Sequence, residues 1–197
     1  MSALFIDVDT QLDFLYPAGA LYVPGAEKIV PSLAHLNRYA ARHGIPVLST
    51  VDAHTEDDPE FQTWPKHCVA GALGQQKPAV TLRSKRVVVP NREGAVELEG
   101  AEQIILEKQT TDAFRTVTIA GVLAALNSER FVVYGVVTEI CVLHAVRGLL
   151  KLGKPVTVIA DAIQHLSARG FEDAIAEMKA AGVSISGTLC EAPESAA

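Results

Sequence analysis

The chain has 197 residues, of which 49% are hydrophobic and 20% charged, and its formal net charge is −6. This length is enough for one domain with a complete core. The negative charge argues against nucleic acid as a partner, because phosphate recognition needs clustered lysine and arginine. Three cysteines, an odd number, do not make a disulfide framework and are typical of a reducing compartment.

The chain begins with an alternation of strand and helix. The apolar pattern predicts a strand over residues 4–8, an amphipathic helix over residues 26–43 and a second strand over residues 45–51. The helix begins after Pro24-Gly25 and ends at Gly44, two common boundary signals. These elements predict a crossover between two parallel strands.

A candidate metal site follows the second strand. Asp52 and His54 are two residues apart, so strand geometry directs both side chains to one side. His67, in the segment Trp64-Pro65-Lys66-His67-Cys68, supplies a third group of a type that divalent metals bind. The spacing alone also fits a capping aspartate and solvated histidines.

The segment of residues 55–102 interrupts the alternation of strand and helix. It is too long for an ordinary connection, which predicts a functional insertion. Within it, residues 85–99 could form a hairpin around Pro90-Asn91-Arg92-Glu93-Gly94. Cys68 is expected to be partly exposed, and Cys68 and Cys190 are assigned structural roles.

The second half returns to alternating strands and helices. Strands are predicted over residues 103–107, 131–137, 156–160 and 183–185, and helices over residues 117–126, 138–152 and 171–181. The expected fold is α/β: a single-domain, doubly wound, mostly parallel sheet with helices on both faces. The domain spans residues 1–190, and residues 191–197 are expected to be a flexible tail.

Three chemically distinct residues follow predicted strands. Asp9, Lys108 and Cys141 each come at a strand's carboxyl end, where open α/β sheets bind their ligands. Thr138 is a good N-cap, which would place Cys141 in the first helical turn, where backbone N–H groups favour a thiolate. The alternative for Cys141 is a small core residue. His144, three residues later, is a rival to Asp9 as the base.

Five features, which occur along the chain in the family's order, resemble the isochorismatase-like cysteine hydrolases and, within them, the nicotinamidases (pyrazinamidases). The superfamily features are D-x-Q-x-D-F at residues 9–14, Lys108 and T-x-x-C-V at residues 138–142; the nicotinamidase features are D-x-H at residues 52–54 and W-P-x-H-C at residues 64–68. The resemblance covers most of the chain and implies the doubly wound fold.

The resemblance also implies catalytic roles. Cys141 would attack an amide carbon, Asp9 would take and return the proton, and Lys108 would hold Asp9 ionised. Backbone N–H groups of Val137 and Cys141 would form an oxyanion hole. The Val136-Val137 peptide is expected to be cis. Asp13 is expected to support the loop that carries Asp9.

The resemblance further implies one divalent metal ion, most simply zinc, with manganese and iron as alternatives. Asp52, His54 and His67 are the expected ligands. Glu60 aligns where many nicotinamidases have another histidine ligand, and we expect it to be a fourth ligand; the alternative is a solvated residue of an acidic loop.

The expected activity is hydrolysis of nicotinamide to nicotinate and ammonia through a thioester, a step of NAD salvage. Phe14 and Trp64 would flank the substrate ring as flat apolar walls. Glu139-Ile140, where some members have Asp-His, leaves substrate preference open. The alternatives are a metal-free cysteine amidohydrolase acting on a carbamoyl or ureido compound, and a catalytically silent binding protein.

The remaining expectations concern partners and location. The N-terminal residues lack the basic and apolar regions of a secretory signal, and no apolar run is long enough to span a membrane. A cytoplasmic protein without a membrane partner is therefore expected, with a small amide as its substrate. The high apolar content predicts a homo-oligomer.

Overall fold

The fold is built on one parallel sheet, seen in a computed structural model that describes residues 2–187. The strands are β1 (Ala3–Val8), β2 (Val47–Asp52), β3 (Arg86–Val89), β4 (Gln103–Lys108), β5 (Arg130–Val136), β6 (Val156–Gln164) and β7 (Ser184–Ser186). All pairings within this range are parallel, and the strand order is β3-β4-β2-β1-β5-β6-β7. The predicted α/β class is confirmed.

Helices cover both faces of the sheet. They are α1 (Leu12–Leu15), α2 (Val30–Arg42), α3 (Ile119–Leu126), α4 (Leu143–Leu150) and α5 (Ala168–Ala180). The core between the sheet and α1 and α2 is separate from the core between the sheet and the other three helices. Within β1, Leu4 and Ile6 enter one core and Phe5 the other, as period-two geometry requires of a strand buried on both faces.

The predicted hairpin within the insertion is wrong. Arg86–Val89 forms the edge strand β3, which pairs in parallel with β4, and residues 90–102 contain no strand. The β-branched run Val87-Val88-Val89 can complete a ladder on the exposed side of β4, whereas a hairpin would leave that side of β4 without a partner. Residues 90–102 are therefore a crossover between parallel strands rather than one arm of a hairpin.

The predicted N-cap at Thr138 is also wrong. Residues Thr138–Val142 form a π-helical turn that leads into α4, and its N-cap is Val137. The Thr138 hydroxyl instead donates to the Gln164 carbonyl at 2.9 Å. A hydroxyl that can reach a carbonyl on the neighbouring strand does not need to cap its own helix, and sequence spacing does not reveal that choice.

Other boundaries differ by a few residues. A 3-10 turn, Ala26–Ile29, precedes α2, and β6 continues to Gln164 rather than ending near Ala160. The predicted tail at residues 191–197 lies outside the described residues. None of the helices within residues 2–187 is long and apolar enough to cross a bilayer.

The topology brings the predicted reactive residues together at one edge. From β1 the chain crosses to β2 on one side, and β5 later pairs with β1 on the other. Such a switch point opens a crevice beyond the carboxyl ends of the strands. Asp9, Asp52, Lys108 and Cys141 end or follow β1, β2, β4 and β5 respectively, and Asp52 lies directly opposite Lys108 in the ladder.

Candidate active site

The centre of the site is a buried lysine between two carboxylates. Lys108 Nζ lies 2.9 Å from Asp9 Oδ2 and also contacts Asp52 Oδ1. All three residues are at most 3% exposed. Burial alone would lower the pKa of Lys108, but the charges of Asp52 and Asp9 outweigh it and raise the pKa well above its ordinary value. Lys108 is therefore an ammonium at neutral pH.

Asp9 is held in an unusual backbone conformation. Its φ is 51°, in the left-handed region that non-glycine residues seldom adopt. Thr50 Oγ1 donates to Asp9 Oδ1 at 2.6 Å, which leaves Oδ2 to face Lys108. Burial raises the pKa of Asp9 despite the nearby Lys108 ammonium, so this carboxylate is a stronger base than a solvated aspartate.

Cys141 rests as a thiol rather than as the thiolate that its helical position suggests. Burial raises its pKa well above the ordinary value, the Lys108 charge opposes this, and the charges of Asp9 and Asp52 and a hydrogen bond with Asp9 raise it further. A helix N-terminus lowers the pKa of a cysteine only when desolvation does not outweigh it. Asp9, the expected proton acceptor, is among the groups that act on the Cys141 thiol.

The backbone beside the nucleophile has the expected form. The Val136-Val137 peptide bond is cis, as the resemblance implies. Val137 and Cys141 both line the pocket described below. The assignment of their N–H groups to an oxyanion hole stays a prediction.

Asp52, His54 and His67 form a cluster able to hold a metal ion. One donor atom from each lies within 4.8 Å of the other two, and all three residues are buried. The Nε2 atoms of His54 and His67 are 3.9 Å and 3.7 Å from Asp52 Oδ2. Ligand atoms around one tetrahedral ion, with bonds of about 2.1 Å, are about 3.4 Å apart, close to these spacings.

Neighbouring groups orient both histidines toward this point. His67 Nδ1 lies 2.7 Å from the Pro65 carbonyl, and His54 Nδ1 lies 3.0 Å from Asp58 Oδ2. A proton on each Nδ1 leaves each Nε2 lone pair free for a metal. His54 Nε2 is buried and has no hydrogen-bond partner among the described residues, so its lone pair is free to bind an ion. The residues present therefore fit a divalent cation.

Glu60 lines the same pocket but lies outside the three-residue cluster. Burial raises the pKa of Glu60, and the negative charge of Asp52 raises it further. Its side chain therefore lines the same pocket as the candidate ligands Asp52 and His67. Its direct ligation of the metal stays a prediction.

Cys141, Asp52, His67 and Glu60 line one pocket with mostly apolar walls. Phe14 and Trp64 are both in its lining, and the Phe14 ring lies 5.4 Å from the His67 ring, centroid to centroid. The other lining residues are Leu21, Val23, Asp52, Glu60, His67, Thr111, Val137, Ile140, Cys141 and Leu166. No lysine or arginine is among them, so the pocket offers a substrate no fixed cationic partner.

The assignments of Cys68 and Asp13 need correction. Cys68 is fully buried rather than partly exposed, and burial raises the pKa of its thiol. The Asp13 carboxylate has no hydrogen bond to the Asp9 loop within residues 2–187; it accepts from the backbone N–H groups of Cys68 at 2.7 Å and Ala20 at 2.9 Å. Compact loops bury such N–H groups, and an aspartate satisfies them.

His144 does not line the pocket. Its Nδ1 lies 3.3 Å from the Thr111 carbonyl, so the ring contacts the protein backbone rather than the pocket. Cys190 is outside the described residues.

Sequence reasoning missed several contributors. Asp58, four residues after His54, was visible as a candidate partner only by its spacing. Thr50 and Leu166 carried no signal at all, because an apolar or hydroxyl residue is common everywhere and only the fold brings these two to the site.

Comparison with known proteins identifies one matching family. Residues 2–188 match the family model of the isochorismatase domain. No curated protein matches the chain at a significant level.

Solved structures with the same fold include amidases. A pyrazinamidase of Pyrococcus horikoshii in complex with zinc is 28% identical, with a TM-score of 0.80 over 94% of this chain and 98% of that chain. PnC1 of L. infantum in complex with nicotinate is 26% identical, with a TM-score of 0.73 over 93% and 91%. N-carbamoylsarcosine amidase from Thermoplasma acidophilum, at 24% identity and a TM-score of 0.77 over 94% and 96%, shows the shared fold alone.

Proposed function

The chain belongs to the isochorismatase family of hydrolases, and from this premise we propose that it converts nicotinamide to nicotinate and ammonia. One observation carries the proposal. Cys141 lines the same pocket as Asp52 and His67 of the metal-binding cluster, so a small aromatic amide can reach the thiol and the cluster at once.

The first half of the reaction forms a thioester. Asp9 takes the proton of the Cys141 thiol as its sulfur attacks the amide carbon, and the oxyanion accepts hydrogen bonds from the backbone N–H groups of Val137 and Cys141. The tetrahedral intermediate collapses when Asp9 returns the proton to the leaving nitrogen. Ammonia departs and the acyl group stays on sulfur.

The second half hydrolyses the thioester. Asp9 now takes a proton from water, whose oxygen attacks the acyl carbon, and the carbon–sulfur bond breaks as the proton passes to the Cys141 sulfur. The acid formed gives its carboxyl proton to solvent and leaves as nicotinate, and the thiol is restored. The positive charge of Lys108 stabilises the ionised form of Asp9. In both halves of the reaction it also offsets the repulsion between the Asp9 and Asp52 carboxylates.

Asp52, His54 and His67 would hold the divalent ion, with Glu60 as a fourth ligand. When bound, the ion supplies a Lewis-acid contact for the pyridine nitrogen and so orients the ring. Zinc is the ion we propose first, because a mixed nitrogen and oxygen set suits it; manganese and iron suit the same set. Phe14 and Trp64 would flank the ring.

The pocket favours an uncharged substrate. Apart from His67 its lining carries no basic side chain, and it contains the carboxyl groups of Asp52 and Glu60. In a metal-free pocket, a carbamoyl compound with its own carboxylate would lack a cationic partner on the wall, and an unpaired buried charge is costly. Nicotinamide has no formal charge, so it needs no cationic partner and buries no unpaired charge.

An ammonia-release assay tests the proposal. The metal-replete protein is given nicotinamide, benzamide, which lacks the ring nitrogen, and an N-carbamoyl amino acid. We expect turnover of nicotinamide, far slower turnover of benzamide, and loss of the difference after chelation of the metal. Preference for the carbamoyl compound, independent of metal, would instead assign the metal-free amidohydrolase, and no ammonia from any amide would assign a silent binding protein.

We propose that this reaction takes place in the cytoplasm and returns nicotinamide to pyridine nucleotide synthesis. We also propose that the active protein is a homo-oligomer. Light scattering of the purified protein measures the oligomeric state directly.

A further inference from the structure

The nucleophile turn holds a second segment of the pocket in place. Glu139 Oε1 accepts from the backbone N–H of Leu166 at 3.0 Å and from that of Ser167 at 2.9 Å. Its neighbour Thr138 donates to the Gln164 carbonyl at 2.9 Å. Residues 164–167, which we call the rim segment, are therefore fastened by two residues that lie within three positions of Cys141 in the chain.

Leu166 occupies a special place on the rim segment. It lines the pocket, yet 41% of its surface remains exposed. A leucine in this position lies at the mouth of the pocket, where part of its apolar surface is open to water. A bound apolar ring would cover that surface and gain the corresponding free energy, at roughly 25 cal/mol per Å².

The surroundings of Glu139 are shaped to accept its carboxylate. Ser167 caps the N-terminus of α5 by accepting from Gly170 N–H, and Glu139 Oε1 lies beside the same helical turn. A negative charge is favourable at a helix N-terminus. A Cβ added at Gly170 would lie 3.0 Å from Glu139 Oε1, so the glycine leaves the room that this carboxylate fills.

We propose that Leu166 is a specificity-determining wall of the substrate pocket and that Glu139 is the positioning residue that fixes it. The inference rests on the proposed amidase function for the identity of the ligand. It adds that recognition of the apolar ring face depends on the rim segment, whereas the chemical step on Cys141 does not. Loss of Glu139 therefore weakens substrate binding through Leu166.

Steady-state kinetics test the binding half. Leu166→Ala and Glu139→Ala are each expected to raise KM for nicotinamide about five- to tenfold, with kcat within about twofold of the original value. Glu139→Gln retains an oxygen that can accept both N–H groups and should stay near the parent KM. In the double variant Glu139→Ala/Leu166→Ala, KM should be close to that of Leu166→Ala alone, because both changes remove one interaction.

Leu152→Ala is the matched control. Leu152 is a leucine of similar exposure, 43%, and it is not in the pocket lining, so its replacement should leave KM unchanged. Multiplicative effects of Glu139→Ala and Leu166→Ala, or a fall in kcat with KM unchanged, would overturn the proposal.

Hydrogen exchange tests the positioning half without any substrate. In the parent protein the amides of Leu166 and Ser167 should exchange slowly; in Glu139→Ala they should exchange at least about tenfold faster, and in Glu139→Gln they should remain protected. Equal protection in Glu139→Ala would overturn the role of Glu139. If the parent protein turned over no amide, the proposed function would fail, while the exchange experiment would still decide whether Glu139 fixes the rim segment.

Discussion

Two cysteines of the chain differ in environment in a way that separates the nucleophile from a core residue. Cys141 lines the pocket, whereas Cys68 is fully buried beside the Gly74 carbonyl. In the sequence, only Cys141 lies just past a predicted strand and within the T-x-x-C-V motif, so Cys141 is predicted to be the nucleophile and Cys68 a structural residue. Position relative to the carboxyl ends of the strands makes the distinction.

Cys141→Ala should lower kcat for nicotinamide by several orders of magnitude, because no thioester can form. Its stability should change by less than about 1 kcal/mol, since the side chain is small and borders a pocket. Cys68→Ala should show the reverse pattern: most activity kept, and a loss of stability of about 1 kcal/mol from a small cavity. Ammonia release and thermal unfolding measure the two effects; an active Cys141→Ala would contradict the assignment.

Asp9 and His144 can be separated in the same manner. Asp9→Asn should lower kcat by at least about 100-fold, because an amide cannot accept the thiol proton. His144→Ala should retain most activity, since His144 contacts the Thr111 carbonyl and does not line the pocket. Comparison of kcat in the two variants decides between the bases. Equal losses would restore His144 as the base.

Asp58 orients His54 and should control the affinity for metal without touching the ion. Asp58→Asn is expected to weaken metal binding about 10- to 100-fold, as loss of such a supporting carboxylate commonly does. The exposed neighbour Asp57 supplies the control, Asp57→Asn, which should bind metal as the parent does. Calorimetric titration with zinc measures both. Equal affinity in all three proteins would show that the contact with Asp58 does not orient His54.

At the level of the elements, strand β5 passes very close to β1 just before the nucleophile turn. Gly135 has a φ of 120°, and a Cβ there would lie 2.0 Å from the Val8 carbonyl oxygen. Glycine is needed on both counts, conformation and space. This close approach brings Val8, just before Asp9, beside the strand that leads to Cys141.

Gly135→Ala should destabilise the protein by more than about 2 kcal/mol, because backbone must move to admit the methyl group. Gly182→Ala is the control: its φ is also positive, at 86°, but no atom lies within 4 Å of the added Cβ. It should lose only about 1 kcal/mol. Denaturant unfolding of both variants makes the comparison, and similar losses would mean that the approach to Val8 is relaxed easily.

Elements were predictable where local chemistry and fold agree. β-branched runs ending in Asp9, Lys108 or the turn before Cys141 predict buried parallel strands with functional carboxyl ends. The hairpin and the Thr138 cap were predicted from local turn and capping signals. In the structure, residues 86–89 instead pair with β4, and the Thr138 hydroxyl donates to the Gln164 carbonyl; both partners come from distant segments. Short-range patterns do not encode such contacts.

For the whole molecule, the family match confirms the resemblance seen in the motifs. The metal-binding cluster joins β2 to the long insertion, since Asp52 ends the strand and His67 lies within the inserted segment. An ion that binds only this folded arrangement stabilises the entire chain.

Zinc at about 100 times its Kd should raise the free energy of unfolding by about 2.7 kcal/mol, and so raise Tm by roughly 5–10 °C for a domain of this size. Calorimetry with and without a chelator measures the shift. The variant His67→Ala should lose most of it while it keeps the Asp9–Lys108 contact. An equal shift in that variant would place the ion elsewhere.

The single ammonium of Lys108 touches both Asp9 and Asp52, one carboxylate from each half of the site. This shared contact has an evolutionary consequence. A descendant that abandoned the metal would still need Lys108 for Asp9, and one that abandoned thiol chemistry would still need it to offset the charge of Asp52. Divergence of this site is therefore expected to begin at the histidines or at the cysteine, and position 108 is expected to change last.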